Sequence, residues 1–133
     1  MKRTYACPHC NAVLNPNVKI VLRARHEKRN GLLLFSPQPG NYDVFIPRGF
    51  ELTKGDRVEF ACPVCGGDLS STRGKAWAEI HFSTDSGTRG SVVFSKVYGS
   101  HATCFITEEQ ERWYGEHARE STNFWGAGPD RDL

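Results

Sequence analysis

The sequence has no long hydrophobic run and no large excess of charge of one sign. No apolar stretch approaches the roughly 18 residues that a membrane span needs, and the first ten residues, MKRTYACPHC, lack the apolar middle of a signal peptide. The net charge of +2 is too small to indicate binding to nucleic acid or membranes by itself. We therefore expect a cytoplasmic protein that does not bind membranes and that resides in a reducing environment.

The common catalytic and nucleotide-binding motifs are also missing from the sequence. It has no glycine-rich phosphate loop, no nucleophile elbow and no zinc-protease helix motif. No candidate acid, base or nucleophile lies in a recognisable catalytic motif. The sequence does not decide whether His81, Glu79 and His101 form a cluster in the folded protein. An enzyme is therefore the function class with the least support.

Alternation of apolar and polar residues with a period of two runs through most of the chain. This period is typical of half-buried strands, and Ile20, Leu22 and Ala24 share one face of the first clear example together with Val18. The pattern predicts about seven short strands with no alternation of strands and helices. We expect a mainly β protein with an antiparallel β domain.

A basic hairpin is predicted over residues 18–35. The pair Asn30-Gly31 is a strong turn signal, because both residues tolerate positive φ. Five cations belong to this segment: Lys19, Arg23, Arg25, Lys28 and Arg29. They are candidate residues for binding nucleic acid or another anion. The simpler interpretation is a solvated face that attracts the acidic C-terminal part of the chain.

A single helix is predicted near the C-terminus, over residues 108–120. Thr107 followed three residues later by Gln110 fits a capping box, and acidic residues fill the first turn. The segment 121–133 is rich in glycine and small polar residues. We expect it to be loosely ordered unless Phe124 or Trp125 docks on the domain.

The most informative feature is a phrase of eight residues that occurs twice, as CPHCNAVL at 7–14 and CPVCGGDL at 62–69. Proline after the first cysteine fixes φ at a sharp bend. The position after the second cysteine, Asn11 or Gly66, suits a left-handed conformation. The last residue, Leu14 or Leu69, is expected to pack under the loop. Two such turns supply four thiolates, which fill a tetrahedral shell.

These two phrases resemble the zinc knuckles of the zinc-ribbon and rubredoxin-like families, in which paired CPxCG turns hold one metal. The resemblance covers the two phrases only. It implies that the metal ligands are Cys7, Cys10, Cys62 and Cys65. Zinc is the expected metal and iron the alternative, because tetrahedral sulfur suits both. Residues 11–61 separate the two pairs, and closing a long loop costs little, since each doubling adds only about 0.6 kcal/mol.

Other interpretations of the cysteines are weaker. A redox-active CxxC pair normally precedes a helix in a β-α-β unit that is missing here. Disulfides within each pair, joining 7 with 10 and 62 with 65, would close strained small rings. The fifth cysteine, Cys104, shares a strand face with Ala102 and Ile106, so we expect a small buried residue. His9 lies inside the first phrase and is expected to be exposed, as a surface group or at most a group that contacts the metal ligands.

Three functions are compatible with these features. The first is a non-catalytic structural-zinc protein that acts as a binding adaptor or accessory subunit for another macromolecule, a protein or a complex. The second is a nucleic-acid-binding zinc ribbon that uses the hairpin of residues 18–35. The third is a rubredoxin-like iron electron carrier. In each case we expect one β-rich metal-binding domain over residues 1–120, with a zinc-ribbon-like four-cysteine site and the C-terminal helix.

Overall fold

The chain folds into two antiparallel β-sheets, as described for residues 3–38 and 40–115 by a computed structural model. The ten strands are β1 (Arg3–Ala6), β2 (Ile20–His26), β3 (Arg29–Phe35), β4 (Val44–Phe45), β5 (Glu59–Ala61), β6 (Ser70–Ser71), β7 (Gly74–Thr84), β8 (Arg89–Ser95), β9 (Thr103–Ile106) and β10 (Glu111–Tyr114). No helix long and apolar enough to cross a membrane occurs in this part of the chain. The mainly β, antiparallel architecture is confirmed.

Sheet B is built from one continuous segment of the chain, whereas sheet A combines the first strand with strands from the second half. Sheet A has the order β1-β7-β8-β9-β10, with β6 also paired to β7, and sheet B has the order β4-β3-β2-β5. Strand β1, at the start of the chain, therefore joins the sheet built by the second half. Strand β5 comes after the first hairpin and pairs with β2 in sheet B. Both cysteine pairs follow directly on these two strands.

The main core lies between the sheets. Residues from sheet B, among them Leu22 and Leu33, pack in one buried cluster with Ile80 and Val92 of sheet A. The period-two pattern explains this arrangement, because it places every second side chain of a strand on the same face. A second, smaller cluster lies on the opposite face of sheet A and consists of Trp77, Val93, Ala102, Cys104 and Trp113. Cys104 is fully buried there, in agreement with the expectation of a buried residue.

The predicted C-terminal helix is wrong for the residues that the structure describes. The Thr107 hydroxyl accepts hydrogen bonds from the N–H groups of Glu109 and Gln110, at 3.3 and 3.2 Å. The same contacts that would cap a helix here close the loop of a hairpin, and Glu111–Tyr114 continue as strand β10 beside β9. Burial of Trp113 against sheet A favours the strand. Residues 116–120 of the predicted helix and the segment 121–133 lie outside the described part.

The predicted turn of the first hairpin is also displaced. The chain turns at Glu27-Lys28, with Glu27 in the left-handed region at a φ of 57°. Asn30 and Gly31 lie within β3. The physical reason is side-chain pairing: the observed register sets Leu33 opposite Leu22 on the core face. A turn at Asn30-Gly31 would set Leu33 opposite a lysine instead.

Candidate metal centre

Four cysteine side chains come together just after the ends of β1, in sheet A, and β5, in sheet B. The Sγ atoms of Cys7, Cys10, Cys62 and Cys65 all lie within 4.8 Å of one another. Two of these contacts join the pairs: Cys7 to Cys65 at 3.8 Å and Cys10 to Cys62 at 3.7 Å, measured between Sγ atoms. All five cysteines of the chain are free thiols. The four thiols could hold a metal ion.

The spacing of the sulfur atoms fits a tetrahedral metal. With metal–sulfur bonds of about 2.3 Å, the edges of a tetrahedron measure about 3.8 Å between sulfur atoms. The two contacts between the pairs, at 3.8 and 3.7 Å, match this edge. A donor set of four sulfurs selects zinc or iron over magnesium and calcium, which prefer oxygen. The geometry therefore fits a metal of the zinc or iron type.

The repeated phrases form two knuckles with the same backbone structure: the first knuckle (residues 7–14) and the second knuckle (residues 62–69). The Asn11 N–H donates to the Cys7 carbonyl at 2.9 Å, and the Gly66 N–H donates to the Cys62 carbonyl at 2.9 Å. Asn11 has a φ of 64° and Gly66 a φ of 75°. The predicted left-handed position after the second cysteine is thus confirmed in both knuckles.

The leucine at the end of each knuckle returns to the strand that entered it. The Leu14 N–H donates to the Tyr5 carbonyl at 2.7 Å, and the Leu69 N–H donates to the Phe60 carbonyl at 3.0 Å. Both leucine side chains are fully buried, as predicted. Every contact of the first knuckle named so far recurs 55 positions later, so the two knuckles form one site with approximate two-fold symmetry.

Backbone N–H groups point at the sulfur atoms in both knuckles. The His9 N–H lies 3.3 Å from the Cys7 sulfur, and the Val64 N–H lies 3.3 Å from the Cys62 sulfur. Hydrogen bonds of this kind stabilise a thiolate relative to a thiol. They favour the thiolate form, which binds a metal, at the two buried cysteines on the inner side of the site, Cys7 and Cys62.

The thiols of the cluster differ in acidity. Burial opposes ionisation of Cys62, but N–H groups of Cys65 and Val64 and the neighbouring thiols outweigh this effect and lower its pKa to about 7. At Cys10 a backbone hydrogen bond at Ala12 lowers the pKa, but burial and the neighbouring thiols outweigh it and raise the pKa to about 11. Thiolates this close repel one another, and a divalent cation removes that repulsion.

A side chain of the first knuckle also contacts the second knuckle directly. His9 Nε2 lies 2.6 Å from the Asp68 carbonyl oxygen. Gly67 makes room for the ring, because a Cβ atom there would lie 2.7 Å from His9 Cδ2. His9 is exposed, as sequence reasoning expected, but its contact with the second knuckle was not predicted. No sequence signal could have revealed the contact, because its two residues are brought together only by the fold.

A buried lysine links the sheets beside the second knuckle. Lys96 Nζ contacts Glu59 Oε1 and Ser70 Oγ, each at 2.6 Å, and the lysine side chain is only 1% exposed. The Ser70 hydroxyl in turn donates to Asp68 at 2.8 Å. Hydrogen bonds from Ser70, together with the positive charge of Lys96, hold the pKa of Asp68 below its ordinary value. This pairing stabilises the sheet contact near the metal centre.

The predicted basic residues lie on the surface of sheet B. All five are exposed: Lys19, Arg23, Arg25, Lys28 and Arg29. Arg23 and Arg25 project from β2 away from the core, and Arg23 is the cross-strand partner of Ala61, the residue before the second knuckle. Arg29 is partly engaged, because its guanidinium donates to the Gly49 carbonyl at 3.3 Å. The structure thus places the two β2 arginines on one face.

Exposed apolar side chains share this face with the arginines. We define the outer face of sheet B as Val21, Arg23, Arg25, Leu32, Leu34 and Phe45. The Phe45 side chain is 61% exposed and Leu32 is 48% exposed. The sequence alternates Tyr42, Val44 and Ile46 with Asp43 and Phe45, and the structure shows Asp43 and Phe45 exposed.

The cluster of His81, Glu79 and His101 that the sequence left undecided is not a group of candidate metal ligands in the described part of the chain. His81 is exposed on β7, and Glu79 accepts a hydrogen bond from Ser71 at 2.7 Å. The His101 ring stacks on Tyr42, with a centroid distance of 4.5 Å. Between residues 3 and 115, leaving out 39, the four cysteines are the only group of three or more candidate metal ligands.

Comparison of the chain with protein-family models, with curated proteins and with solved structures finds no match. The interpretation of the four-cysteine site therefore rests on its own geometry and on the repeated motif.

Proposed function

We propose that the chain is a non-catalytic structural-zinc protein that acts as a binding adaptor or accessory subunit for another macromolecule. The convergence of four thiols from two knuckles on one point carries this proposal. Four thiolates fill the coordination shell of zinc, which leaves no position where the metal could activate water or substrate. The metal acts on the structure, since the first knuckle follows a strand of sheet A and the second follows a strand of sheet B.

Zinc is proposed over iron as the resident metal. Both metals accept four thiolates, but a rubredoxin-like electron carrier would need only the two knuckles and would leave two complete sheets without a role.

A cytoplasmic location is proposed from the state of the cysteines. Five free cysteines in one chain are typical of a reducing compartment, because secreted proteins commonly pair their cysteines.

The outer face of sheet B is the proposed docking surface for a partner protein. Phe45 and Leu32 are large apolar side chains that are 61% and 48% exposed in the described part of the chain. Arg23 and Arg25 flank them on β2. Aromatic and arginine side chains are enriched at the centres of protein interfaces, where they contribute most of the binding energy. This combination favours a protein partner with a mixed apolar and acidic surface.

Replacing Phe45 by glutamate tests the docking surface. The variant is expected to lose most of the partner that co-purifies with the tagged full chain from its native source. Binding would bury the new carboxylate against apolar atoms of the partner, without an opposite charge. Val64→Glu is the matched control: Val64 is 70% exposed at the tip of the second knuckle, outside the docking surface. Equal recovery of the partner with both variants would exclude this face as the binding site.

Nucleic-acid binding through the same face is the second candidate function. The observation that favours it is the placement of Arg23 and Arg25 on one exposed strand face with Phe45 two strands away. Cations that contact phosphates and an aromatic ring that stacks on a base are the usual elements of single-strand binding. The exposed ring next to the basic hairpin is a feature that the hairpin sequence alone does not contain.

Salt dependence separates this candidate from protein docking. If the face binds single-stranded RNA, the double variant Arg23→Ala with Arg25→Ala should weaken binding and reduce the slope of log affinity against log salt by about 1.4, the value for two lost phosphate contacts. Fluorescence anisotropy of a labelled strand measures both. The control, Lys75→Ala with Arg89→Ala, removes the same charge from sheet A. No binding by the unmodified chain, or equal effects of both double variants, would exclude this function.

A further inference from the structure

A cavity of about 460 Å³ lies between the two sheets. Its walls are apolar side chains from both sheets: Leu22, Leu33 and Phe60 of sheet B, and Ile80, Val92 and Phe105 of sheet A. The volume falls within the roughly 300–1,000 Å³ that small-molecule sites occupy. The cavity is therefore large enough for an organic molecule and lies away from the outer face of sheet B.

Three phenylalanine rings form an aromatic part of the cavity wall. Phe35 lies 5.7 Å from Phe60 and 6.3 Å from Phe94, and Phe60 lies 5.6 Å from Phe94, measured between ring centroids. Phe35 and Phe94 are only partly buried although they pack against the main core. Aromatic edges and faces at these spacings offer an additional ring the edge-to-face contacts that aromatic groups prefer.

The interior polar groups that line the cavity already have partners within the protein. The Lys96 ammonium is paired with Glu59, and the Tyr5 hydroxyl donates to the Pro37 carbonyl at 2.6 Å. The Tyr42 hydroxyl lies within hydrogen-bond distance of Thr103 Oγ1, at 3.1 Å. A charged ligand group placed among the apolar walls would lose its hydration without gaining an opposite charge. Lys54 and Asp43 are exposed at the edge of the cavity, with one charge of each sign.

We propose that this cavity is a binding site for a small, uncharged, predominantly apolar molecule with an aromatic ring system. Water in such a cavity has few polar partners, so an apolar molecule that fills the space is favoured over solvent. The site is independent of the four cysteines and of the outer face of sheet B. Its ligand would be held between the two sheets that the metal centre connects.

Strand β4 provides a matched pair of residues for testing the site. Val44 and Phe45 are adjacent and project to opposite faces of sheet B: Val44 lines the cavity, whereas Phe45 lies on the outer face. A tryptophan at 44 fills space in the cavity, and a tryptophan at 45 adds a similar ring on the outside. The two variants differ only in the side of the sheet that receives the ring.

The experiment uses the full chain with its metal and two fluorescent probes of the same ring skeleton. N-phenyl-1-naphthylamine is uncharged, and 1-anilinonaphthalene-8-sulfonate adds a negative charge. The uncharged probe should bind saturably, one per chain, with blue-shifted emission, and the sulfonate should bind about tenfold more weakly because its charge would be desolvated. Val44→Trp should weaken binding of the uncharged probe at least about tenfold, whereas Phe45→Trp should leave it within about twofold.

Three results would overturn the proposal: no saturable binding of the uncharged probe, equal binding by Val44→Trp and Phe45→Trp, or binding that appears only after Phe124 and Trp125 are both replaced by alanine. The last result would assign the cavity to the chain's own C-terminal segment. The last described residue, Gly115, lies beside the cavity. A Cβ atom placed on it would be 2.5 Å from the hydroxyl oxygen of Tyr42, which lines the cavity. If Val44→Trp lowers metal content or melting temperature, Val44→Phe replaces it and the same comparison decides.

Discussion

Replacing Cys62 by serine is expected to abolish stoichiometric metal binding and to lower the free energy of unfolding by roughly 5 kcal/mol, a part of the roughly 10–16 kcal/mol that structural zinc contributes in zinc fingers. Cys62 is fully buried at the end of β5, and its sulfur lies 3.7 Å from that of Cys10 in the other knuckle. Loss of this thiolate leaves an incomplete coordination shell. The metal then no longer holds the two sheets together.

Elemental analysis and urea unfolding, each with and without a chelator, measure this effect. The chelator should destabilise the unmodified protein to about the level of the variant and leave Cys62→Ser unchanged. The control is Cys104→Ala, a fully buried cysteine outside the metal centre. It should keep its metal and lose only about 1 kcal/mol through a small cavity. A Cys62→Ser protein that retains one metal per chain at unchanged stability would refute the role given to this residue.

Replacing Trp113 by alanine is expected to cost about 3–5 kcal/mol of unfolding free energy, the usual range for a buried tryptophan. The Trp113 side chain is 5% exposed and packs edge-to-face against Trp77 with 6.1 Å between ring centroids. It is the cross-strand partner of Cys104 in the pairing of β10 with β9. The substitution removes one of the two tryptophan rings of the small cluster on the outer side of sheet A.

Arg112→Ala is the control for this prediction, because Arg112 is exposed on the same strand. Its effect should stay within about 0.5 kcal/mol. Both variants should retain their metal, since the second cluster lies across sheet A from the main core. A cost below about 1 kcal/mol for Trp113→Ala would contradict the burial of this residue, and with it the assignment of residues 111–114 to a strand.

The features predicted well from sequence are those with local causes. The alternation around Leu22 and Ile80 predicts strands because a strand places every second side chain in the core. The left-handed residue of each knuckle follows from the sharp bend after the second cysteine, and Asn11 adopts it without glycine. The burial of Leu14 and Leu69 follows from the same geometry.

The errors arise where one local signal is compatible with two structures. Thr107 can cap a helix or close a hairpin loop with the same hydrogen bonds, and burial of Trp113 decides for the hairpin. Asn30-Gly31 can form a turn, but pairing of apolar residues across β2 and β3 moves the turn to Glu27. In both cases tertiary packing outweighs the local preference.

Other features depend on contacts that no local pattern contains. Strand β1 has four residues and pairs with β7, far along the chain, so its sheet could not be predicted. The contact of His9 with Asp68 and the cavity between the sheets depend on the same long-range arrangement. Residues 11–61, which separate the cysteine pairs, include the four strands of sheet B. This segment therefore supplies the second sheet and one wall of the cavity.

The most direct test of one four-sulfur zinc centre between the two knuckles is X-ray absorption at the metal edge, combined with elemental analysis of the purified full chain. We predict one zinc per chain, four sulfur neighbours at about 2.3 Å and no visible absorption band. Iron with a visible charge-transfer band would contradict the choice of metal. A shell with fewer than four sulfurs, or less than one metal per chain in reduced protein, would contradict the single closed centre.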